Sequence, residues 1–241
     1  MEMPAEIIDF NLHHIQTVSA KVMGEYLYPY VATFPQELIR QAIDDCLPEY
    51  DLPEKMQDFE LTELFIIPWA IFNWDLFENF GVSNLKLKKT IAENFLFQYA
   101  DLLKPEEKKF LRVMNKTYYS FYQVKEVVKD KSIIVEDLIL TSMHTIKDDV
   151  SSNYLSPGDI IYSRFVTIDN HSIFIGMPPC KLPHDPYYDV IMDFKKWLIK
   201  QNKRKPLTGS DLRDLYVLNS LDLFFDLFVQ YLEPEKFMYT Y

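Results

Sequence analysis

One stretch of this chain, residues 118–177, carries the period of β-strands, and the chain on either side of it carries the period of helices. Phe121, Gln123, Val124, Lys125, Glu126 and Val127 read as a strand. Residues 132–136 read as its hairpin partner across Lys129-Asp130-Lys131. A third strand covers residues 141–146, and residues 159–168 and 172–177 make a second hairpin around Asp169-Asn170-His171. Five short strands with tight turns predict a small, strongly curved antiparallel sheet or a barrel-like module. Pro178 and Pro179 are expected to end it. The fold class is α+β. Residues 1–117 form a helical part, 118–180 the β module, and 181–241 C-terminal helices that pack back on the helical part.

The helical flanks carry their own punctuation. Pro35 opens a helix running to about Cys46, with Leu38, Ile39, Ala42 and Ile43 on one face. Residues 60–80 are apolar nearly all round, as in a buried central helix, with a kink or break at Pro68 and a stop at Gly81. A helix over 89–102 precedes one opened by Pro105-Glu106-Glu107, where proline and acids suit a helix N-terminus. Residues 187–200 place Val190, Ile191, Phe194, Trp197 and Leu198 on one face, and a last helix is expected from Thr208 or Ser210 to Leu232.

Composition narrows the class. Of 241 residues, 48% are hydrophobic and 15% aromatic, which suits a packed core rather than disorder. Two cysteines, Cys46 and Cys180, make neither a disulfide framework nor a four-cysteine zinc site, and a reducing, cytoplasmic compartment is expected. No signal segment and no membrane span are read. The net charge of −11 is concentrated in residues 1–60, which hold 12 acidic side chains against three basic ones, Lys21, Arg40 and Lys55. Such a field repels nucleic acid and suits a basic partner, or serves as a solvated surface.

Chemistry-bearing residues are few. Leu155-Ser156-Pro157-Gly158-Asp159 is the best-formed motif: proline presets the turn, glycine permits a positive φ, and aspartate bonds nearby amides. In the strand that follows, Arg164 shares a face with Ile160, Tyr162 and Val166. Its reading is an ion pair with Asp137 or Glu136, or recognition of an anion. Lys195, Lys196, Lys200, Lys203, Arg204 and Lys205 form the one basic cluster, a solvated helix end or a contact for nucleic acid or an acidic partner. His144 is a candidate for acid/base work beside a carboxylate of the sheet. His13 and His14 diverge on a helix, and His184 near Asp185 and Asp189 is a loose metal-site candidate. The paired carboxylates Asp211 with Asp214 and Asp222 with Asp226 share helix faces, as solvated surface or magnesium ligands. No phosphate-binding loop, dinucleotide fingerprint or nucleophile elbow is present.

A set of residues carries a resemblance: Ile67-Pro68-Trp69-Ala70-Ile71-Phe72-Asn73-Trp74, then Pro105-Glu106-Glu107, then Ser120-Phe121-Tyr122-Gln123-Val124-Lys125-Glu126-Val127. Asp137-Leu138 follows, and last Leu155-Ser156-Pro157-Gly158-Asp159 ahead of Arg164. Over residues 60–178 the chain resembles uncharacterised bacterial proteins that often carry a SEC-C zinc motif. The cysteines and histidine of that motif are missing here, so the resemblance implies the architecture and neither a metal nor an activity. The expected role is a non-enzymatic, cofactor-free cytoplasmic protein that binds another macromolecule, foremost a protein. Nucleic-acid binding through Lys195 to Lys205 and the β surface, and a metal-dependent hydrolase or nuclease, are the alternatives.

Overall fold

The computed structural model describes residues 10–46, 66–76, 90–175, 180–182, 187–201 and 223. The helix expected over 208–232, the loop cations Lys203 to Lys205, His184 and the paired carboxylates of 211–226 lie outside the described residues, Leu223 excepted.

The N-terminal helix α1 (Phe10–Lys21) runs without a break through a π-helical turn, Val22–Leu27, into α2 (Tyr28–Val31). Pro29 explains the widening: it brings no N–H to the ladder and its ring crowds the carbonyl four residues back. Helix α3 (Gln36–Cys46) buries Leu38, Ala42 and Cys46, at helical spacing. Helix α4 (Ile67–Phe72) holds Pro68 in its first turn and is capped by Asn73, while residues 60–65 and the expected stop at Gly81 lie outside the described residues. Just beyond that end, Trp74 Nε1 donates to Asp45 Oδ2 at 2.7 Å, tying α4 to α3. Helix α5 (Ile91–Tyr99) opens on a capping box, in which Glu93 N donates to Thr90 Oγ1 and Thr90 N to the Glu93 carboxylate. Helix α6 (Pro105–Met114) starts on proline, and Glu107 accepts from Lys104 N.

The sheet has seven strands rather than five: β1 (Ser120–Val128), β2 (Ser132–Asp137), β3 (Met143–Ile146), β4 (Ile160–Ser163), β5 (Phe165–Ile168), β6 (His171–Phe174) and β7 (Cys180–Leu182). A short helix, α7 (Ser151–Tyr154), precedes the Pro157-Gly158 turn. The strand order is β5-β6-β3-β2-β1-β4-β7. Three corrections follow. The strand expected over 159–168 breaks at Arg164, because its first half pairs with β1 and its second half with β6. Pairing resumes after Pro178-Pro179, where β7 adds to the outer side of β4; a short edge strand needs partners on one side only. The sheet is not purely antiparallel, since β3 and β6 meet in parallel at Ile146 and Ser172. It curls, because β4 and β5 stand near opposite ends of the strand order yet are joined through one residue, but it is not a closed barrel.

Alternation along each strand gives the curled sheet an inside and an outside. Tyr122, Val124, Ile133, Val135, Ile146 and Ile161 fill the inside with Leu155, flanked by Phe165 and Phe174. On part of the outside, Phe121, Ile160, Tyr162, Val166 and Ile173 merge with the helical core around Trp69, Phe72, Phe110 and Leu111. Helix α8 (Tyr187–Gln201) joins the same core through Tyr187, Ile191 and Leu198. Val190 and Trp197, expected on its buried face, are 38% and 41% exposed. The rest of the outside, over β2 and the start of β3, is open.

Candidate functional site

Arg164 occupies the bend between β4 and β5, on the face shared by Ile160, Tyr162 and Val166. It is 0% exposed. Its Nε donates to Thr117 Oγ1 at 2.7 Å and one terminal nitrogen to Asn73 Oδ1 at 3.1 Å. The other terminal nitrogen donates to the carbonyls of Met114 at 2.8 Å and Thr117 at 3.2 Å. The guanidinium also stands 4.8 Å from the centre of the Phe72 ring. Met114 ends α6 and Asn73 caps α4, so one arginine satisfies polar groups at two helix C-termini, where cations are favoured. The expected carboxylate partners are engaged elsewhere. Glu136 pairs with Lys125 at 2.6 Å, and Asp137 faces its own turn. Arg164 and the fully buried Tyr162 thus belong to the junction of sheet and helices, closed to an external anion.

Asp137 is 1% exposed and organises the β2–β3 connection. Its Oδ1 accepts from Ile139 N and Leu140 N, each at 2.8 Å. Burial pushes its carboxyl up to about 6, against the lowering pull of those two amides, the Ser120 side chain and Lys195. Lys195, from α8, spans the same connection: Nζ donates to Leu138 O and to Thr141 Oγ1, both at 2.8 Å. Lys196 pairs with Asp193 on its own helix, and Lys200 is exposed in the last turn.

His144 lies on β3, inside the curl. Its ring sits 4.6 Å from Phe165 and 6.4 Å from Tyr122, and Nε2 is 2.7 Å from Ser142 Oγ. Burial holds the imidazole below its ordinary value, so it is neutral near pH 7, a hydrogen-bonding group rather than a charge. No carboxylate of the sheet is bonded to it among the described residues. The predicted residues therefore form no single site: Arg164 and Tyr162 stand at the helix junction, His144 at the mouth of the curl, and the described lysines along α8. Among the described residues no three His, Cys, Asp or Glu side chains converge to hold a metal ion. None of the described helices is long and apolar enough to cross a membrane.

Composition and spacing did not single out the open outer face of β2 and β3. Cross-strand pairing puts Ile134 opposite Thr145 and Glu136 opposite Met143. Met143 is 56% exposed, and Thr145 is exposed beside it. From Met143 to Thr145 the strand pairs with β2 alone, because β3 and β6 overlap only at Ile146 and Ser172. The signal lay in the alternation of 132–137 and 143–146, which puts Ile134 and Met143 on the face opposite Ile133, Val135 and Ile146.

Fold and surface together define a mixed α/β protein in which helices back one side of a curled seven-stranded sheet and leave β2 and β3 open. The chain belongs to a family of unknown function, DUF7986, whose match covers residues 71–209, more than half of its length. No curated protein and no solved structure matches it.

Proposed function

We propose that this protein is a non-enzymatic binding module whose partner is another protein, docking on the outer face of β2 and β3. The observation that carries this reading is Met143: a large, flexible apolar side chain, 56% exposed, on a strand whose backbone is paired on one side only from 143 to 145. Methionine adapts to varied apolar partners, and an open strand edge accepts an added strand through main-chain hydrogen bonds.

Nucleic acid is the second reading. With β4 and β5 counted as one bent strand, the neighbours run β1-β2-β3-β6-β5, with β4 returning to β1. That is the path of small Greek-key modules that bind oligonucleotides on strands two and three, an analogy of topology alone. Single-strand binding needs aromatic platforms and free cations. Here the face offers Gln123, Ile134, Glu136, Met143 and Thr145, and its Lys125 is paired with Glu136. Lys195 is spent on Leu138 and Thr141. This chemistry favours a protein partner. The resemblance to proteins bearing a SEC-C motif, a bacterial origin and a cytoplasmic location remain parts of the same proposal.

A photo-crosslinking residue placed at 143, with one at Asp130 as control, tests it in the native host. The expected result is a discrete protein adduct specific to 143 and lost on Ile134→Glu. A nuclease-sensitive adduct would transfer the proposal to the second reading. Adducts alike at both positions would end it.

A further inference from the structure

A second feature, remote from the sheet surface, carries an independent assignment. A groove of about 630 Å³ lies where α2 and α3 approach α4, lined by Tyr28, Val31, Phe34, Ile39, Ile43 and Ile67, with Gln36 and Arg40 among its polar residues. The volume falls within the range of small-ligand sites, which are mostly apolar with a few polar groups. Val31, Phe34, Ile39, Ile43 and Ile67 also pack on the core, so the groove floor is held by the fold rather than by loose side chains.

Charge makes the groove specific. Residues 1–60 hold only three cations. One of them, Lys21, is bonded to the buried Glu107 carboxylate at 2.8 Å. Arg40 stands exposed at the groove with no ion pair among the described residues, although Glu37 and Asp44 lie one helical turn to either side. An exposed guanidinium with no ion pair among the described residues, beside an apolar trough, complements an apolar body ending in a carboxylate, which arginine engages with two parallel hydrogen bonds. We propose that this groove binds a medium-chain acyl carboxylate, its chain lying along Ile39, Ile43 and Ile67 and its carboxylate on Arg40.

The test uses the full chain with dodecanoate, kept below micelle formation, and dodecanol as the neutral control. Binding is read by calorimetry and by melting temperature, which a ligand of the native state must raise. Saturable binding of dodecanoate, at least tenfold tighter than of dodecanol and weakened at least tenfold by Arg40→Glu, is expected. Arg40 is exposed and makes no ion pair among the described residues, so the unliganded variant should still fold, melting slightly below the parent because the new carboxylate sits one helical turn from Glu37 and Asp44; Ile43→Asp supplies a second, apolar-side loss. Absence of saturable binding, equal affinity for dodecanol, or affinity unchanged in Arg40→Glu would each overturn the assignment. So would a concentration-dependent dimer abolished by Ile43→Asp, which would give the groove to a second copy of the chain.

Discussion

Lys195 Nζ lies 2.8 Å from Thr141 Oγ1, and Thr141 is held at a φ of 61°. A β-branched residue in the left-handed region is strained and persists only where its surroundings over-determine it. Here the ammonium of α8 grips Thr141 Oγ1 and Leu138 O, while Asp137 O accepts Thr141 N at 2.7 Å. Helix α8 thereby sets the turn from which β3, with Met143 and His144, departs.

Lys195→Met should cost about 1–2 kcal/mol, from two lost hydrogen bonds to a polar turn partly refunded by the apolar stem. Chemical denaturation measures this. Faster amide exchange confined to residues 139–142 would locate it, and exchange accelerated evenly over the sheet would contradict a local role.

Arg164→Lys should be far more damaging than its conservative appearance suggests. An ammonium cannot reach Thr117 Oγ1, Asn73 Oδ1 and two carbonyls at once. We expect a loss of about 3 kcal/mol or more, because buried acceptors are left unpaired. A variant within 1 kcal/mol of the parent would show that water replaces the guanidinium at about that cost.

The buried carboxyl of Asp137 gives the protein a pH signature. Its value in the folded chain, about 6, lies above the ordinary 3.8. The folded state thus holds that proton more tightly. The resulting stability is complete below about pH 4 and is lost as pH rises through about 6. Asp137→Asn keeps an acceptor for Ile139 N and Leu140 N and does not titrate. Relative to the parent it should gain up to about 3 kcal/mol between pH 4 and 7 and then level off, the energy of a two-unit shift. A parent–variant difference flat across that range would show that the carboxyl titrates normally.

Gly158 adopts a φ of 96°, and its amide donates to Val124 O at 2.8 Å. Gly158→Ala should cost about 1–2 kcal/mol through backbone strain alone, since beyond its two chain neighbours nothing lies within 4 Å of the added methyl. Thermal melts with an unchanged far-UV spectrum would confirm that the fold survives.

How much was legible follows the range of each interaction. The Pro157-Gly158 turn, the Asp169-Asn170 hairpin, the start of α6 at Pro105 and the face shared by Arg164 with Tyr162 all depend on neighbours a few residues apart, and residue types report them directly. The splitting of 159–168 at Arg164 is not local: it arises because β1 and β6 claim different halves of one segment. The partners of Arg164 were misassigned for a related reason. Sequence offers carboxylates to an arginine, whereas the fold brings it the carbonyls of Met114 and Thr117 and the side-chain oxygens of Thr117 and Asn73, the last 91 positions away. The open β3 edge was invisible because it depends on how briefly β3 and β6 overlap. The π-helical turn before Pro29 shows the opposite case, a local cause easily read as ordinary helix.

The guanidinium cluster also bears on where this chain can be cut. A boundary between residues 117 and 118 looks natural, since helical period gives way to strand period there. Yet Thr117, Met114 and Asn73, on the helical side of that line, supply every hydrogen-bond acceptor named above for Arg164 on the other. Expressed alone, the sheet would carry a cation built for burial with nowhere to spend its protons. Any shorter version intended for study should keep α4 and α6 attached.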